Sequence, residues 1–294
     1  MTMDTNDLGV NMRCEHSMVM LPDGFTFNQA NLQDFVDCPR RFQLRYVQGQ
    51  QWPAVMAEPL SEHEAFVRRG AQFHCLVERH QLGLPVAEMA SGLSDSVLCT
   101  WWDAYLGFEM LHTLSGERFP ELRLSAELFG GRVMAALDLV VVEPGSRVTI
   151  FDWKTYGRVP RREWLAFRLQ TVLYLYLVAV VGPGMLGDWL KPDMLSMVYW
   201  FPVEPGLPVV FRYSQQQQQE DGVRLAGLVQ AVLGGSGKDV WSLTSETRLC
   251  EYCQFRSRCG RGVAAGVFGE FGGLDEVVGA AGVLSFEEVD EVGF

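Results

Sequence analysis

Val148-Thr149-Ile150-Phe151-Asp152-Trp153-Lys154 follows, across Pro144-Gly145, the run Arg132-Val133-Met134-Ala135-Ala136-Leu137-Asp138-Leu139-Val140-Val141-Val142-Glu143. In a strand, alternate side chains share a face. Val148, Ile150, Asp152 and Lys154 therefore point one way, and two apolar residues give way to an acid and an amine. In the earlier run Met134, Ala136, Asp138, Val140 and Val142 fall on one face, with Val133, Ala135, Leu137, Leu139 and Val141 on the other. Both faces are apolar, which predicts a central strand with Asp138 as its one charged interior residue. A lone buried carboxylate is costly, so Asp138 needs a cation or donors. Adjacent antiparallel strands can bring Asp138 to Asp152. Two convergent carboxylates and a lysine in an apolar sheet suit a divalent metal that activates water. A structural ion pair between Lys154 and one aspartate is the alternative.

Working outward, Leu122–Phe129 is a further strand, set off by Gly130-Gly131, so three strands form an antiparallel meander. A helix is expected from about 162 to 181, then strands Met194–Val203 and Pro208–Tyr213 joined by Pro205-Gly206. Gln215–Gln219 opens the next helix, which Gly234-Gly235 ends. Upstream, Leu32, Phe35 and Val36 read as a short helix. Pro39 suits the first turn of a second one running through Phe42 and Tyr46. Helices are also expected at 61–82 and 95–114. The fold class is α/β, a mixed central sheet flanked by helices with a helical N-terminal lobe. The lobe spans about 25–115, the α/β core about 120–235 and a cysteine segment about 248–261. Residues 1–24 read as a disordered N-terminus and 262–294 as an acidic, Gly-rich tail.

The 294 residues are 48% hydrophobic and 20% charged, an ordinary globular composition. No charge-free apolar stretch is long enough to span a membrane. The N-terminus lacks a basic start followed by an apolar core, so no signal peptide is read and a cytoplasmic location is expected. The formal net charge of −12 argues against a polyanion ligand only until its distribution is considered. The tail holds seven acids and no Lys or Arg, so the interior is near neutral. Arginines cluster there at 40, 41 and 45, at 68 and 69, at 158, 161 and 162, and at 256, 258 and 261.

Seven cysteines without a secretion signal argue against a disulfide framework. Cys250-x-x-Cys253-x₅-Cys259 places three thiols as ligands for a soft metal or cluster, and the fourth must come from elsewhere. Cys38 is the candidate. Zinc on the same four thiols is the alternative, and Cys14, Cys75 and Cys99 read as ordinary free thiols.

On the helix after the meander, Gln170 and Tyr174 are one turn apart on one face. His74 lies on the helix at 61–82. The order His74, Asp138, Asp152-Trp153-Lys154, Gln170-x-x-x-Tyr174 resembles the RecB-like branch of the PD-(D/E)XK nuclease superfamily, whose fold is restriction-endonuclease-like. The resemblance implies that His74, Asp138 and Asp152 bind Mg²⁺ or Mn²⁺ with the Trp153 carbonyl, and that Lys154 orients or deprotonates the attacking water. It implies that Gln170 and Tyr174 position DNA and site side chains. The chain departs from the family at Ala135, where Gly is usual, and Glu127 falls where many relatives carry an acid. Cys38, Cys250, Cys253 and Cys259 are similar to the 4Fe–4S ligands of AddB nuclease domains and CRISPR-adaptation nucleases. DNA, single-stranded or frayed, is the implied substrate, in repair, recombination or CRISPR adaptation, with a helicase or CRISPR-adaptation partner.

Overall fold

The computed structural model describes residues 20–50, 59–235, 237, 239–251 and 253–262. Nearly all of the expected N-terminal segment, with Cys14, and the acidic segment past Gly262 lie outside them. The elements run β1 (Thr26–Phe27), α1 (Gln29–Asp37), α2 (Pro39–Phe42), α3 (Pro59–Gln81), α4 (Val86–Ala90), α5 (Ser96–Leu106) and α6 (Glu109–Thr113). They continue through β2 (Glu117–Leu128), β3 (Gly131–Glu143), β4 (Arg147–Trp153), α7 (Arg162–Phe167), α8 (Leu169–Leu186), β5 (Leu195–Trp200), β6 (Val209–Arg212), α9 (Gln215–Gly235) and α10 (Arg248–Glu251). A π-helical turn, Gln43–Val47, extends α2. The sheet is mixed: β2–β3, β3–β4 and β5–β6 are antiparallel, whereas β4–β5 and β1–β3 are parallel.

The meander follows from its turns. Phe129 (φ 57°) and Gly130 (φ 86°) join β2 to β3. Two consecutive residues at positive φ give a turn whose twist matches the flanking strands. β2 then pairs with β3 along most of its length, from Leu128↔Gly131 to Glu117↔Val142. Because β2 fills one edge of β3, β4 (Leu139↔Phe151 onward) and β1 (Thr26↔Arg132) must share the other.

Two cores lie on the two sheet faces. Val140, Val142, Val148, Ile150 and Met197 pack with α8 and with Leu225, Val229 and Val232 of α9. Leu139, Val141, Phe151, Trp153, Val198 and Trp200 pack with Phe73 and Val77 of α3 and Trp101, Trp102 and Tyr105 of α5. The N-terminal helices are therefore split: α1 and α2 join the α8 side, while α3 and α5 cover the opposite face.

Strict alternation along β3 fails at one place. Val133, Ala135 and Leu137 pack on the α8 side together with Val140 and Val142, and Leu139 packs on the other. The change of face falls at Asp138. Opposite it, between Pro120↔Leu139 and Leu122↔Leu137, stands Glu121 in the left-handed region (φ 48°). Such a backbone costs about 1–3 kcal/mol for a non-glycine residue and re-aims side chains.

The helix expected over 162–181 is two helices. Arg168 is extended (ψ 138°), and the Leu169 N–H is taken by Gln33 Oε1 of α1 at 3.2 Å. Capping from another element restarts the helix at a set angle. By length and composition α8 could cross a membrane, but 56% of it is buried inside the protein, where it serves as the central core helix.

At the N-terminal end, Arg41 is 2% exposed and sits 2.8 Å from both Asp34 and Asp37; Arg45 also reaches Asp34 at 2.8 Å. These arginines are thus committed within the fold. Breaking a buried pair by removing one partner strands the other charge, at about 3–5 kcal/mol. Arg41→Met is expected to lower thermal stability accordingly, checked by denaturant unfolding, whereas exposed Arg161→Ala should change it little.

Candidate active site

The site forms where β3 and β4 part. Leu139↔Phe151 is the last paired position, so Asp138 and Asp152 face one another one step beyond it. There the Asp138 side chain replaces the ladder: its Oδ2 accepts the Trp153 N–H at 2.8 Å. β4 stays fixed on its other side, because Lys154 N–H donates to the Trp200 carbonyl at 2.9 Å. Both strand ends are therefore held by hydrogen bonds at Asp138, Trp153 and Lys154.

His74 reaches in from α3 on the opposite face. Its Nε2 lies 2.9 Å from the Trp153 carbonyl, and its Nδ1 lies 3.5 Å from Asp138 Oδ1. Burial alone would lower the His74 pKa, but Asp138 overcomes it and raises it; reciprocally, His74 and then Lys154 hold Asp138 below the usual carboxylate range against its own burial. Asp152 is buried, and its Oδ1 meets Lys154 Nζ at 2.7 Å while Oδ2 accepts from Gln170 Nε2 at 2.5 Å. Burial pushes the Asp152 pKa up despite Lys154, and Asp138 adds to the rise. Burial lowers the Lys154 pKa, but Asp152 outweighs it and holds the ammonium charged.

Ligand atoms of His74, Glu121 and Asp138 all lie within 4.8 Å of one another. One imidazole and two carboxylates are nitrogen and oxygen donors of the kind that can hold a divalent cation. Asp152, directly across from Asp138, stands next to that triad, tied to Lys154 and Gln170. Burial, then Asp138, push the Glu121 carboxyl up to about 7. Two buried carboxylates this close are charged together only where a cation or donors offset their burial and repulsion.

Of the residues singled out from sequence, His74, Asp138, Asp152, Lys154 and Gln170 are thus brought together. Tyr174, one turn beyond Gln170, is buried in the α8 core. Ala135 pairs with Leu124 and is buried in the same core, so its methyl is packed among apolar neighbours. Glu127 is 69% exposed and pairs with Arg132 at 3.0 Å, on the surface. The acid that sequence reasoning missed is Glu121. The sequence analysis starts the strand at Leu122 and sets the turn at Gly130-Gly131, whereas the observed turn is Phe129-Gly130 and the strand begins at Glu117, which places Glu121 opposite Asp138. Tyr199 was also missed. Its ring centre is 5.7 Å from Lys154 Nζ, and its hydroxyl is 2.8 Å from that of Thr171.

Cys38 lies near enough to Cys250, Cys253 and Cys259 to act on each electrostatically. Burial raises the pKa of Cys250, Cys253 and Cys259, and proximity to Cys38 raises each further. Arg41 and Arg261 pull the other way on Cys250. The ends meet through Gln43, which donates to the Asp239 carbonyl at 3.1 Å and accepts from the Trp241 N–H at 3.0 Å. Trp241 stacks on Phe42 at 5.5 Å.

A mixed sheet with an acid on one central strand, an acid-x-lysine on the next and a helical glutamine on the second acid is an arrangement that can hold a divalent cation beside a hydrolysable bond. The family model of the PD-(D/E)XK nuclease superfamily matches residues 26–260, and the chain belongs to that superfamily. Among solved structures, the chain is similar to a protein of Eubacterium rectale whose assignment as an exonuclease is itself provisional. The two share 13% identity over 82% of this chain and 90% of that one, with a TM-score of 0.47. It is also similar to the protein SSO0001, with 12% identity over 83% of this chain and 89% of that one and a TM-score of 0.41. No curated protein sequence matches at a significant level.

Proposed function

We propose that this chain is a DNA nuclease of the RecB-like branch that hydrolyses phosphodiester bonds with Mg²⁺ or Mn²⁺. Single-stranded or frayed DNA is its substrate, in repair, recombination or CRISPR adaptation, alongside a helicase or CRISPR-adaptation partner in the cytoplasm. The observation that carries the reading is the placement of Asp138 opposite Asp152, with His74 and Glu121 on one side and Lys154 on the other. A hydrogen-bonded apolar pair of strands has no structural need for three carboxylates, and their mutual cost is relieved by a divalent cation.

His74, Glu121, Asp138 and Asp152 would hold the ion, with the Trp153 carbonyl that His74 already contacts. When bound, the ion supplies a polarised phosphate and a more acidic water. Lys154 presents its ammonium beside Asp152, where it stabilises charge growing on the phosphate and orients the attacking water. Gln170 fixes the second oxygen of Asp152 and so fixes the direction in which the first one points. We propose further that Cys38, Cys250, Cys253 and Cys259 hold a 4Fe–4S cluster that joins the two ends of the domain; four thiols, one from the start of the domain and three from its end, are the ligand set such a cluster takes.

The test is cleavage of a labelled oligonucleotide. Degradation is expected with Mn²⁺ or Mg²⁺ and should stop with a chelator. It should weaken in Ca²⁺, whose larger, looser shell places water poorly. Binding to DNA without cleavage under any of these metals would sink the nuclease reading and leave a DNA-binding scaffold.

A further inference from the structure

The segment between Lys154 and Gln170 leaves the active site at the end of β4 and returns to it in the first turn of α8. Both of its ends touch Asp152, so the segment begins and ends at the site. It does not share the composition of the rest of the chain. From 154 to 170 there are five bases (Lys154, Arg158, Arg161, Arg162 and Arg168) and a single acid, Glu163, in a protein of net charge −12.

The aromatics in this segment are also placed unusually. Phe167, the last residue of α7, is 71% exposed. It is held there from two directions. Its carbonyl accepts from Arg224 of α9 at 3.1 Å, and the extended Arg168 that follows turns the chain into α8. Arg168 lays its guanidinium on the Trp164 ring, 4.8 Å from the centre. Arg162 lies over Phe211 at 4.3 Å and donates to the Val210 carbonyl, which anchors the start of α7 to β6. The outcome is a strip of arginines and aromatic rings that ends at Arg168, two residues before the Gln170 that touches Asp152.

We propose that this strip, with Phe167 and the Arg168–Trp164 stack at its centre, is a base-stacking platform that seats a nucleotide of single-stranded DNA next to the scissile phosphate. The inference deepens the nuclease reading and rests on it. An exposed ring can stack only on a base whose face is open, and bases inside a duplex are already stacked and paired. A basic strip alone would serve either form, because it reads phosphate. The combination of arginine and open ring selects the single strand, at about 1–3 kcal/mol per stacked base. Phe167 is therefore assigned as a positioning residue for substrate form, with no part in bond cleavage.

The experiment measures fluorescence anisotropy of labelled oligothymidine and of a blunt DNA hairpin, with chelator present so that neither is cut, on the full chain as purified. Phe167→Ala is expected to weaken oligothymidine binding about tenfold and to leave the hairpin affinity within roughly twofold. Arg161→Ala should weaken both probes together and lessen their salt dependence, as loss of a phosphate contact does. Because Phe167 is exposed, the melting temperature of Phe167→Ala should match the parent, which separates a binding defect from misfolding. Unchanged oligothymidine affinity in Phe167→Ala, or an equal loss on both probes, overturns the platform. So does a change in oligomeric state with binding intact, which would assign the ring to a protein contact. If the parent cleaves DNA with Mn²⁺ while Phe167→Ala behaves like it, the nuclease reading stands and the platform alone falls. If the parent neither binds nor cleaves DNA, both fall.

Discussion

Asp152→Ala is expected to abolish metal-dependent cleavage, and Lys154→Ala to reduce it by about a hundredfold or more, with the fold of each retained. The two losses should differ in origin. Asp152 is the joint of the site, since one oxygen meets Lys154 Nζ at 2.7 Å and the other accepts from Gln170 at 2.5 Å. Removing its carboxylate takes away one charge facing the cation and frees both partners. Lys154→Ala keeps the donor set but deletes the ammonium that meets charge on the phosphate. Titrating Mn²⁺ by calorimetry or by its magnetic resonance signal separates them: Asp152→Ala should bind weakly and Lys154→Ala close to the parent. Glu121→Gln supplies a third point. It removes a charge from the His74, Glu121 and Asp138 triad while keeping the shape, so it should weaken Mn²⁺ binding. It should also ease the repulsion felt in the metal-free protein. Parent-like cleavage by Asp152→Ala and Lys154→Ala in folded protein would remove the catalytic assignment.

That constellation was largely readable in the sequence, for a physical reason. Asp138, Asp152 and Lys154 interrupt strands that are otherwise apolar on both faces, and a charge placed there has few structural explanations. Glu121 was not readable in the same way, because it lies one residue past Pro120 in a run with polar residues on either side. Its role is set by register with β3 and by a left-handed backbone, neither of which leaves a mark in composition. The break between α7 and α8 was hidden for a related reason: the apolar periodicity continues through Arg168, and the residue that caps the restarted helix at Leu169 is Gln33, far away in sequence. The arginines show the limit of reading charge from clusters. Arg41 and Arg45 sit beside Arg40 in the chain, yet they are committed to Asp34 and Asp37 inside the fold. Arg161, by contrast, is exposed.

Cys38→Ser and Cys250→Ser are each expected to give colourless protein in place of brown, with about four irons per chain lost together and not one at a time. All four thiols serve one cluster in this reading, so either substitution should act on the whole of it. Stability should fall as it does when a cross-link over a very long loop is cut. The loss should be uneven along the chain. Arg40 N–H still reaches the Ser242 carbonyl at 3.0 Å, Gln43 still holds Asp239 and Trp241, and Trp241 still stacks on Phe42. Those contacts dock the chain as far as residue 242 without help from any cysteine. Beyond them, among the described residues, Phe255 and Arg256 are buried and Arg261 donates to the Thr244 carbonyl at 3.2 Å, with Cys250, Cys253 and Cys259 alongside. Limited proteolysis of Cys250→Ser should therefore cut within 248–261 first and leave the sheet intact, while Cys99→Ser should keep both colour and protection. A colourless parent that holds one tightly bound zinc would overturn the iron–sulfur assignment. Cys250→Ser as stable and as protected as the parent would show that the thiols carry no cross-link, because the contacts around residue 242 would then suffice.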